Sequence, residues 1–131
     1  MSRIPGGFAF AAAPTYPVTE AGQPAQSSGA IMIIVAGTLR LSQQDLAAVR
    51  ADAVAVVSAT RAEQGCLVYS FAEDLLEPGL VRIYEEWESR EDLARHGKAE
   101  HIAAWHAALK RVTVLARDLK IIEVASSEPL A

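Results

Sequence analysis

The stretch that decides the fold is residues 66–87, CLVYSFAEDLLEPGLVRIYEEW. Both ends of this stretch alternate side chains with the period of two that is typical of β-strands. Between them lies Glu-Pro-Gly at 77–79, and adjacent proline and glycine are typical of a turn. We therefore predict a β-hairpin with strands at 66–73 and 80–87, joined by a turn at 74–79.

A strand and a helix are predicted before the hairpin. Residues 31–39 are apolar and largely β-branched on both alternating faces, which indicates a buried strand. Ser42 is a candidate helix N-cap, with Asp45 in the first turn and apolar side chains at helical spacing from Leu46 onward. Gly65 is expected to end this helix.

A helix and a strand are also predicted after the hairpin. Ser89 caps a helix that we expect to break or bend at Gly97 and to continue to about Val114, and residues 119–125 form the last strand. The order β-α-β-β-α-β is that of the ferredoxin-like fold, an antiparallel sheet with helices on one face. The predicted fold class is α+β.

The sheet face without helices is predicted to be apolar as well. In the first strand Met32 and Ile34 point away from Ile33, and in the last strand Ile122 points away from Ile121. An apolar face with no helix of its own must be covered by another chain. We therefore expect a homodimer packed sheet against sheet.

The two ends of the chain differ from its middle. Proline, glycine and serine recur so often in residues 1–30 that we predict an irregular N-terminal arm or tail. Its apolar run at 8–13 resembles a signal peptide but is short and stops at a proline, and Met32 is an alternative translation start. The ferredoxin-like domain is expected at 31–125, followed by a C-terminal tail at 126–131.

Composition excludes several classes of partner. The 131 residues are 51% hydrophobic, with a net charge of −4 and no basic run, so we expect one domain that binds neither nucleic acid nor a membrane. The single cysteine, Cys66, follows a helix C-terminus, where the dipole disfavours a thiolate, and we expect a small buried side chain in a cytoplasmic protein. No GxGxxG or Walker spacing is present, so no nucleotide cofactor is expected.

Glu85 is the first candidate functional residue. Side chains alternate along a strand, so Glu85 shares one face with Val81, Ile83 and Trp87. If helices cover that face, a carboxylate is buried among apolar side chains. That carboxylate either has a function or lies at the open end of the strand, where it reaches solvent or Arg40. Trp87 likewise is either a ligand contact or a plug at the end of the core.

Three histidines, His96, His101 and His106, lie in the second helical region at five-residue intervals. On a helix each interval turns about 140°, so the three do not share a face as a metal triad would require, and we predict no metal site. Trp105 lies about one turn after His101, and one of the two is expected to line a cavity. His96 either interacts with the helix dipole or serves as a base or hydrogen-bond donor at a bend beside Gly97.

These residues together resemble the antibiotic biosynthesis monooxygenase domain, in particular its quinol monooxygenase branch. The family pattern is E-x-G-C-x-x-Y, then D, then E-x-W-E-S, then two histidines. The similar positions here are residues 63–69 (EQGCLVY), Asp74, residues 85–89 (EEWES), His96 and His101. The resemblance covers about residues 31–124 and implies a dimeric α+β barrel, with a pocket in each subunit between sheet and helices.

The resemblance also implies an activity, which is oxidation of hydroquinones or polycyclic phenols by O2 without flavin, haem or metal. It implies catalytic roles for Trp87, His96 and His101, and it makes Tyr69 a pocket residue and Glu85 a residue that orients a histidine. Trp105 joins the substrate-binding set through its place beside His101. The chain contains no asparagine, which relatives that degrade haem or oxygenate polyketides use, so those two activities are not expected.

Two other functions remain open at this stage. The same histidine base could serve an isomerase or dehydratase that acts on a small cyclic substrate, or the domain could be a non-catalytic dimer that binds a small ligand. Glu85 discriminates between these classes. In a polar cluster with a histidine it favours an enzyme, whereas an exposed position favours a binding protein.

Overall fold

The computed structural model describes residues 31–131, so the predicted arm at 1–30 lies outside the described residues. The elements are β1 (Ile33–Arg40), α1 (Gln43–Arg61), β2 (Cys66–Glu73), β3 (Leu80–Trp87), α2 (Arg90–Gly97), α3 (Glu100–Leu109) and β4 (Ala116–Glu123). The predicted ferredoxin-like fold is confirmed, with its second helical region divided in two. No helix in this part of the chain is long and apolar enough to cross a bilayer.

Local signals explain most of the element boundaries. The Ser42 side chain accepts a hydrogen bond from the Asp45 backbone N–H at 3.0 Å, as predicted for the N-cap of α1. Both hairpin strands have the predicted bounds. β4 begins at Ala116, earlier than predicted, because pairing with β1 already starts where the Leu115 N–H donates to the Arg40 carbonyl at 2.8 Å.

The region after the hairpin differs most from the prediction. The predicted break at Gly97 is confirmed, since α2 ends there, but the second helix, α3, runs from Glu100 only to Leu109 and not to about Val114. The two residues between them are not helical, and Ala99 is the N-cap of α3 without a side-chain hydrogen bond. Residues on either side of this break are therefore no longer related by the rotation of one helix.

The sheet has the order β2-β3-β1-β4 with all neighbours antiparallel. In β1, Ile33, Val35 and Leu39 are buried on the face that the helices cover. Trp87 pairs with Ile33 and closes one end of this core. The site described below lies in the layer between this face and the helices.

The opposite sheet face is mixed, and it is more polar than the prediction of a wholly apolar face. At one end Ile34 pairs with Ile122 of β4, which gives the apolar patch expected there. At the other end Thr38 pairs with Arg82 and Asp118, so charged side chains share the face. The prediction was drawn from the apolar ends of the strands and did not include these charged positions.

Candidate active site

A cavity of about 420 Å³ lies between the sheet and the two helices α2 and α3. Aliphatic and aromatic side chains form most of its wall, and this volume is typical of a pocket for one small ligand. Four of the predicted site residues line the cavity: Tyr69, Glu85, His96 and Trp105. Sheet and helices both contribute, so the pocket lies where the resemblance implied.

A short hydrogen bond holds His96 in this cavity. Its Nδ1 lies 2.6 Å from Oε2 of Glu63, and the imidazole is almost completely buried. Nε2 of His101 lies 3.2 Å from the same oxygen, close enough for an ion pair. The angles of this second contact are not those of a hydrogen bond, so the buried His101 Nε2 has no hydrogen-bond partner.

The turn that follows α1 brings Glu63 to α2. Gly65 in this turn has φ of +82°, and a Cβ atom there would lie 2.1 Å from the Asp92 side chain. The Gly65 carbonyl also accepts a hydrogen bond from the Glu88 N–H at 2.9 Å. Asp92 in turn accepts a hydrogen bond from the Ser89 hydroxyl at 2.9 Å. Glycine at position 65 therefore lets the turn pack directly on the helix that carries the histidine.

The break between α2 and α3 brings together two of the three histidines, which the argument from the rotation of a helix did not allow. His96 lies in the last turn of α2 and His101 in the first turn of α3, and their ring centroids are 6.1 Å apart. With Glu63 they place three potential metal-ligand atoms within 4.8 Å of one another. Among residues 31–131 this is the group with that geometry, and His106 does not belong to it.

Trp87 lies beneath His96 and does not line the cavity. Its ring is fully buried, with the centroid 4.7 Å from that of His96. Its Nε1 donates a hydrogen bond to Oε1 of Glu85 at 2.9 Å. Trp87 therefore contacts two cavity residues, His96 and Glu85, from the side of the core. His101 does not line the cavity either, but its ring lies beside that of His96, which does.

Glu85 is buried, so the interpretation that it reaches solvent or Arg40 is wrong. Arg40 instead pairs with Glu77 at 3.0 Å. The implied role of Glu85 in orienting a histidine also needs correction, because Glu63 makes the hydrogen bond to His96. Glu85 shares the cavity with the histidine but is hydrogen-bonded to Trp87.

Burial shifts the pKa values of several groups around the cavity toward their neutral forms. Burial lowers the pKa of His96, and the hydrogen bond to Glu63 opposes this shift. Burial raises the pKa of Glu85, against the hydrogen bond from Trp87, and it also raises the pKa of Tyr69. The site thus favours a neutral imidazole and a protonated phenol in an apolar cavity.

Cys66 has the chemistry expected of an inert thiol. Burial, together with the nearby carboxylates of Glu63 and Glu85, raises its pKa from 9.0 to about 11. The thiol remains protonated near neutral pH and is no nucleophile.

The family model described as antibiotic biosynthesis monooxygenase matches residues 32–108. The chain belongs to the antibiotic biosynthesis monooxygenase family. The match begins just before β1 and ends at Ala108 in α3, so it includes the turn of Glu63 and both histidines of the cluster.

Solved structures share the fold of this family member. A Deinococcus radiodurans protein assigned as an antibiotic biosynthesis monooxygenase is 34% identical, with a TM-score of 0.63 over 76% of this chain and 96% of its own. A Caulobacter crescentus protein with the same assignment is 22% identical, with a TM-score of 0.66 over 74% of this chain and 92% of its own. A search of curated proteins found no match.

Glu63 is the site residue that interpretation of the sequence missed. It opens the EQGC segment on which the family resemblance rests, yet it received no role there. Its partner His96 follows 33 residues later on another element. Gly65 was expected to end α1, but the helix already ends at Arg61, which leaves Glu63 in the turn before the glycine. The signal that could have identified Glu63 is this place just after a helix, where a side chain can turn toward the next layer.

Proposed function

We propose that this member of the family is a cofactor-independent monooxygenase that oxidises hydroquinones or polycyclic phenols with O2. The observation that carries the proposal is the Glu63–His96 pair on the wall of an apolar cavity. When Nδ1–H donates to the carboxylate, Nε2 becomes the nitrogen that can accept a proton. This arrangement of carboxylate and imidazole is suited to a general base.

In the first step His96 removes the proton of a phenolic hydroxyl. Burial holds the pKa of His96 below its usual value, so the imidazole is neutral and able to accept a proton near neutral pH. Burial also raises the pKa of Glu85, which reduces the negative charge next to the phenolate that forms. The aromatic rings of Tyr69 and Trp105 offer flat apolar surfaces to the substrate ring.

In the second step the phenolate passes one electron to O2, and the two radicals combine to form a carbon–oxygen bond on the ring. The resulting hydroperoxide loses water. One oxygen atom remains on the ring as a carbonyl, and the other leaves as water with the ring hydrogen and the phenolic proton. The substrate supplies all four electrons that reduce O2, so no external reductant is needed. The protonated Tyr69 hydroxyl is our candidate donor to the peroxide.

The proposal includes a cytoplasmic homodimer packed sheet against sheet. Its support is the apolar end of the uncovered sheet face, where Ile34 and Ile122 are paired. A charge introduced at Ile34, as in Ile34→Lys, should dissociate the dimer because the charge would be buried in the interface. Light scattering that returns a 14.0 kDa monomer for the unmodified chain would contradict the dimer.

Oxygen consumption tests the activity directly. We expect the protein to accelerate O2 uptake by menadiol-like and polycyclic hydroquinones or phenols above their spontaneous rate, with stoichiometric quinone formation. Absence of acceleration across this set would refute the monooxygenase. Conversion of a cyclic substrate without O2 uptake would instead indicate an isomerase or dehydratase that uses the same base.

A further inference from the structure

His96 and two side chains that contact it, Glu63 and His101, also form a set of potential metal ligands. Two imidazole nitrogens and one carboxylate oxygen, from His96, His101 and Glu63, converge from three separate elements to within 4.8 Å. Two histidines and one carboxylate are a ligand set that zinc takes when its fourth position is left open. We infer that these three residues bind one divalent transition metal ion of the zinc class, and that Zn²⁺ in this site blocks the proposed base.

A second observation, independent of the spacing, points to an ion. The His101 Nε2 atom is buried, faces the Glu63 carboxylate at 3.2 Å and lacks a hydrogen-bond partner. Buried polar atoms are nearly always paired, so an unpaired one requires an explanation. A cation between His101 and Glu63 would give this nitrogen a partner.

The distances are compatible with a small ion. Zinc–ligand bonds of about 2.0–2.2 Å in a tetrahedron place the ligand atoms about 3.3 Å apart. The contact between His101 and Glu63 already has this length, at 3.2 Å. The 2.6 Å contact between His96 and Glu63 must open by about 0.7 Å, which the Glu63 side chain can provide because it lies in a turn and not in a helix.

The chemistry of the donors also predicts which cations are rejected. Mg²⁺ and Ca²⁺ prefer all-oxygen ligand sets, whereas imidazole suits Zn²⁺ and its neighbours in the transition series. Mg²⁺ therefore serves as the negative control for Zn²⁺ in the same buffer. Equal affinity for Mg²⁺ and Zn²⁺ would indicate a site made of carboxylates and would contradict the site proposed here.

Inhibition follows from where the metal binds on His96, and this consequence rests on the proposed function. A metal ion on Nδ1 displaces the proton from that nitrogen, and the neutral ring then carries its proton on Nε2. The nitrogen that should accept the phenolic proton becomes a donor. The metal thereby removes the base without touching the substrate cavity.

The binding experiment uses Zn²⁺ alone, with the full chain and no substrate. Competition with a chromogenic zinc indicator should give one ion per chain, and binding should raise Tm because the ion binds the folded state preferentially. Glu63→Gln and His101→Ala should each weaken binding by about tenfold or more. His106→Ala, which removes a histidine outside the cluster, should leave it unchanged.

The zinc affinities of these variants decide whether the three residues form the binding site. Equal affinity for the unmodified chain, Glu63→Gln and His101→Ala, or loss of binding on His106→Ala, would overturn it. If His101→Ala fails to fold, the d–d absorption spectrum of Co²⁺ bound to the unmodified chain and to Glu63→Gln decides instead. A tetrahedral spectrum that Glu63→Gln abolishes supports the site, and an octahedral spectrum in both proteins overturns it.

Measurement of O2 uptake with and without Zn²⁺ distinguishes failure of the metal site from failure of the proposed oxygenase. Zn²⁺ at a concentration that saturates the indicator assay should suppress O2 uptake, and a chelator should restore it. Zinc that binds with full retention of uptake would overturn the blocking of the base. A protein that binds zinc through the three residues but oxidises no phenol would retain the site and refute the oxygenase.

Discussion

The layer between sheet and helices has two ends that are built from different side chains. The aliphatic end, beneath α1, is made of buried apolar residues: Leu39, Leu41, Leu46, Val49 and Val56. The polar end, beneath α2, contains ionisable groups that are buried or nearly so: Glu63, Glu85, Asp92 and His96. One chain thus places its apolar core and its buried ionisable groups side by side under the same sheet.

The two ends contribute differently to stability and to chemistry. Burial of apolar side chains stabilises the fold, whereas a buried ionisable group destabilises it unless a partner compensates. At the polar end each such group has a local partner, as Glu63 has His96 and Glu85 has Trp87. Such pairs add little to stability compared with apolar residues of the same volume. We therefore expect substitutions at the aliphatic end to change stability and those at the polar end to change chemistry.

The largest effect on stability is expected from Leu41→Ala at the aliphatic end. Leu41 is 2% exposed and does not line the cavity that contains His96. Removal of its side chain should lower the free energy of unfolding by about 3 kcal/mol in urea titrations, because it leaves a void in a packed core. O2 uptake at a temperature where the variant is folded should match that of the unmodified protein. A folded Leu41→Ala that has lost turnover would break the division between the two ends.

The largest effect on chemistry is expected from His96→Ala at the polar end. Loss of the general base should reduce the rate of O2 uptake on the order of 100-fold, which is about 2.7 kcal/mol in the activation barrier. Urea unfolding, with Leu41→Ala measured in parallel, shows whether the rate falls through chemistry or through unfolding. A folded His96→Ala with full turnover would remove His96 from the mechanism and leave the activity resting on family membership.

A smaller, pH-dependent effect is expected from Glu85→Gln. Burial raises the pKa of Glu85 above its ordinary value of 4.5. The folded state therefore loses stability as the pH rises from 4.5 through the raised pKa of the folded protein. Glutamine remains neutral and can still accept the Trp87 hydrogen bond. The variant should therefore melt a few degrees higher than the unmodified protein at pH 7.5, with the difference vanishing near pH 4. A difference in Tm that does not vary with pH would show that Glu85 is not destabilised by its charge.

The sequence predicted the fold because its signals are local. The Ser42 cap and the Glu-Pro-Gly turn at 77–79 act on their immediate neighbours, so the α1 start and both hairpin strands are where the pattern indicated. The break after Gly97 was placed correctly, but its extent was not, since Lys98 and Ala99 are ordinary helix residues. That misjudgement separated His96 from His101, which are two of the three potential metal ligands.

The candidate site was predictable in part for the same reason. The alternation of side chains along β3 places Glu85 and Trp87 on one face, and the structure shows the hydrogen bond between them. The pairing of Glu63 with His96 depends on how α2 docks on the turn at Gly65, which is a tertiary contact with no periodic signal. Long-range pairs of this kind require the packed structure.

The smallest effects are expected from two serine caps, one at each end of the layer. Ser42 at the start of α1 and Ser89 at the start of α2 each accept a hydrogen bond from the backbone N–H three residues on, at 3.0 and 3.1 Å. Replacement of either by alanine should lower the free energy of unfolding by about 1 kcal/mol. Through the loss of the cap alone, the two variants should therefore be nearly alike in stability.

The two variants should differ in activity. Ser89 also donates to the buried Asp92 carboxylate, which packs on Gly65 and fixes α2 against the turn that carries Glu63, whereas the Ser42 cap is exposed and makes no such contact. Ser89→Ala should therefore displace His96 slightly and slow O2 uptake about threefold, since small misplacements of a catalytic group reduce the rate steeply. Ser42→Ala should leave uptake unchanged. Equal rates for the two variants, at equal loss of stability, would show that α2 holds its histidine in place without the Ser89–Asp92 contact.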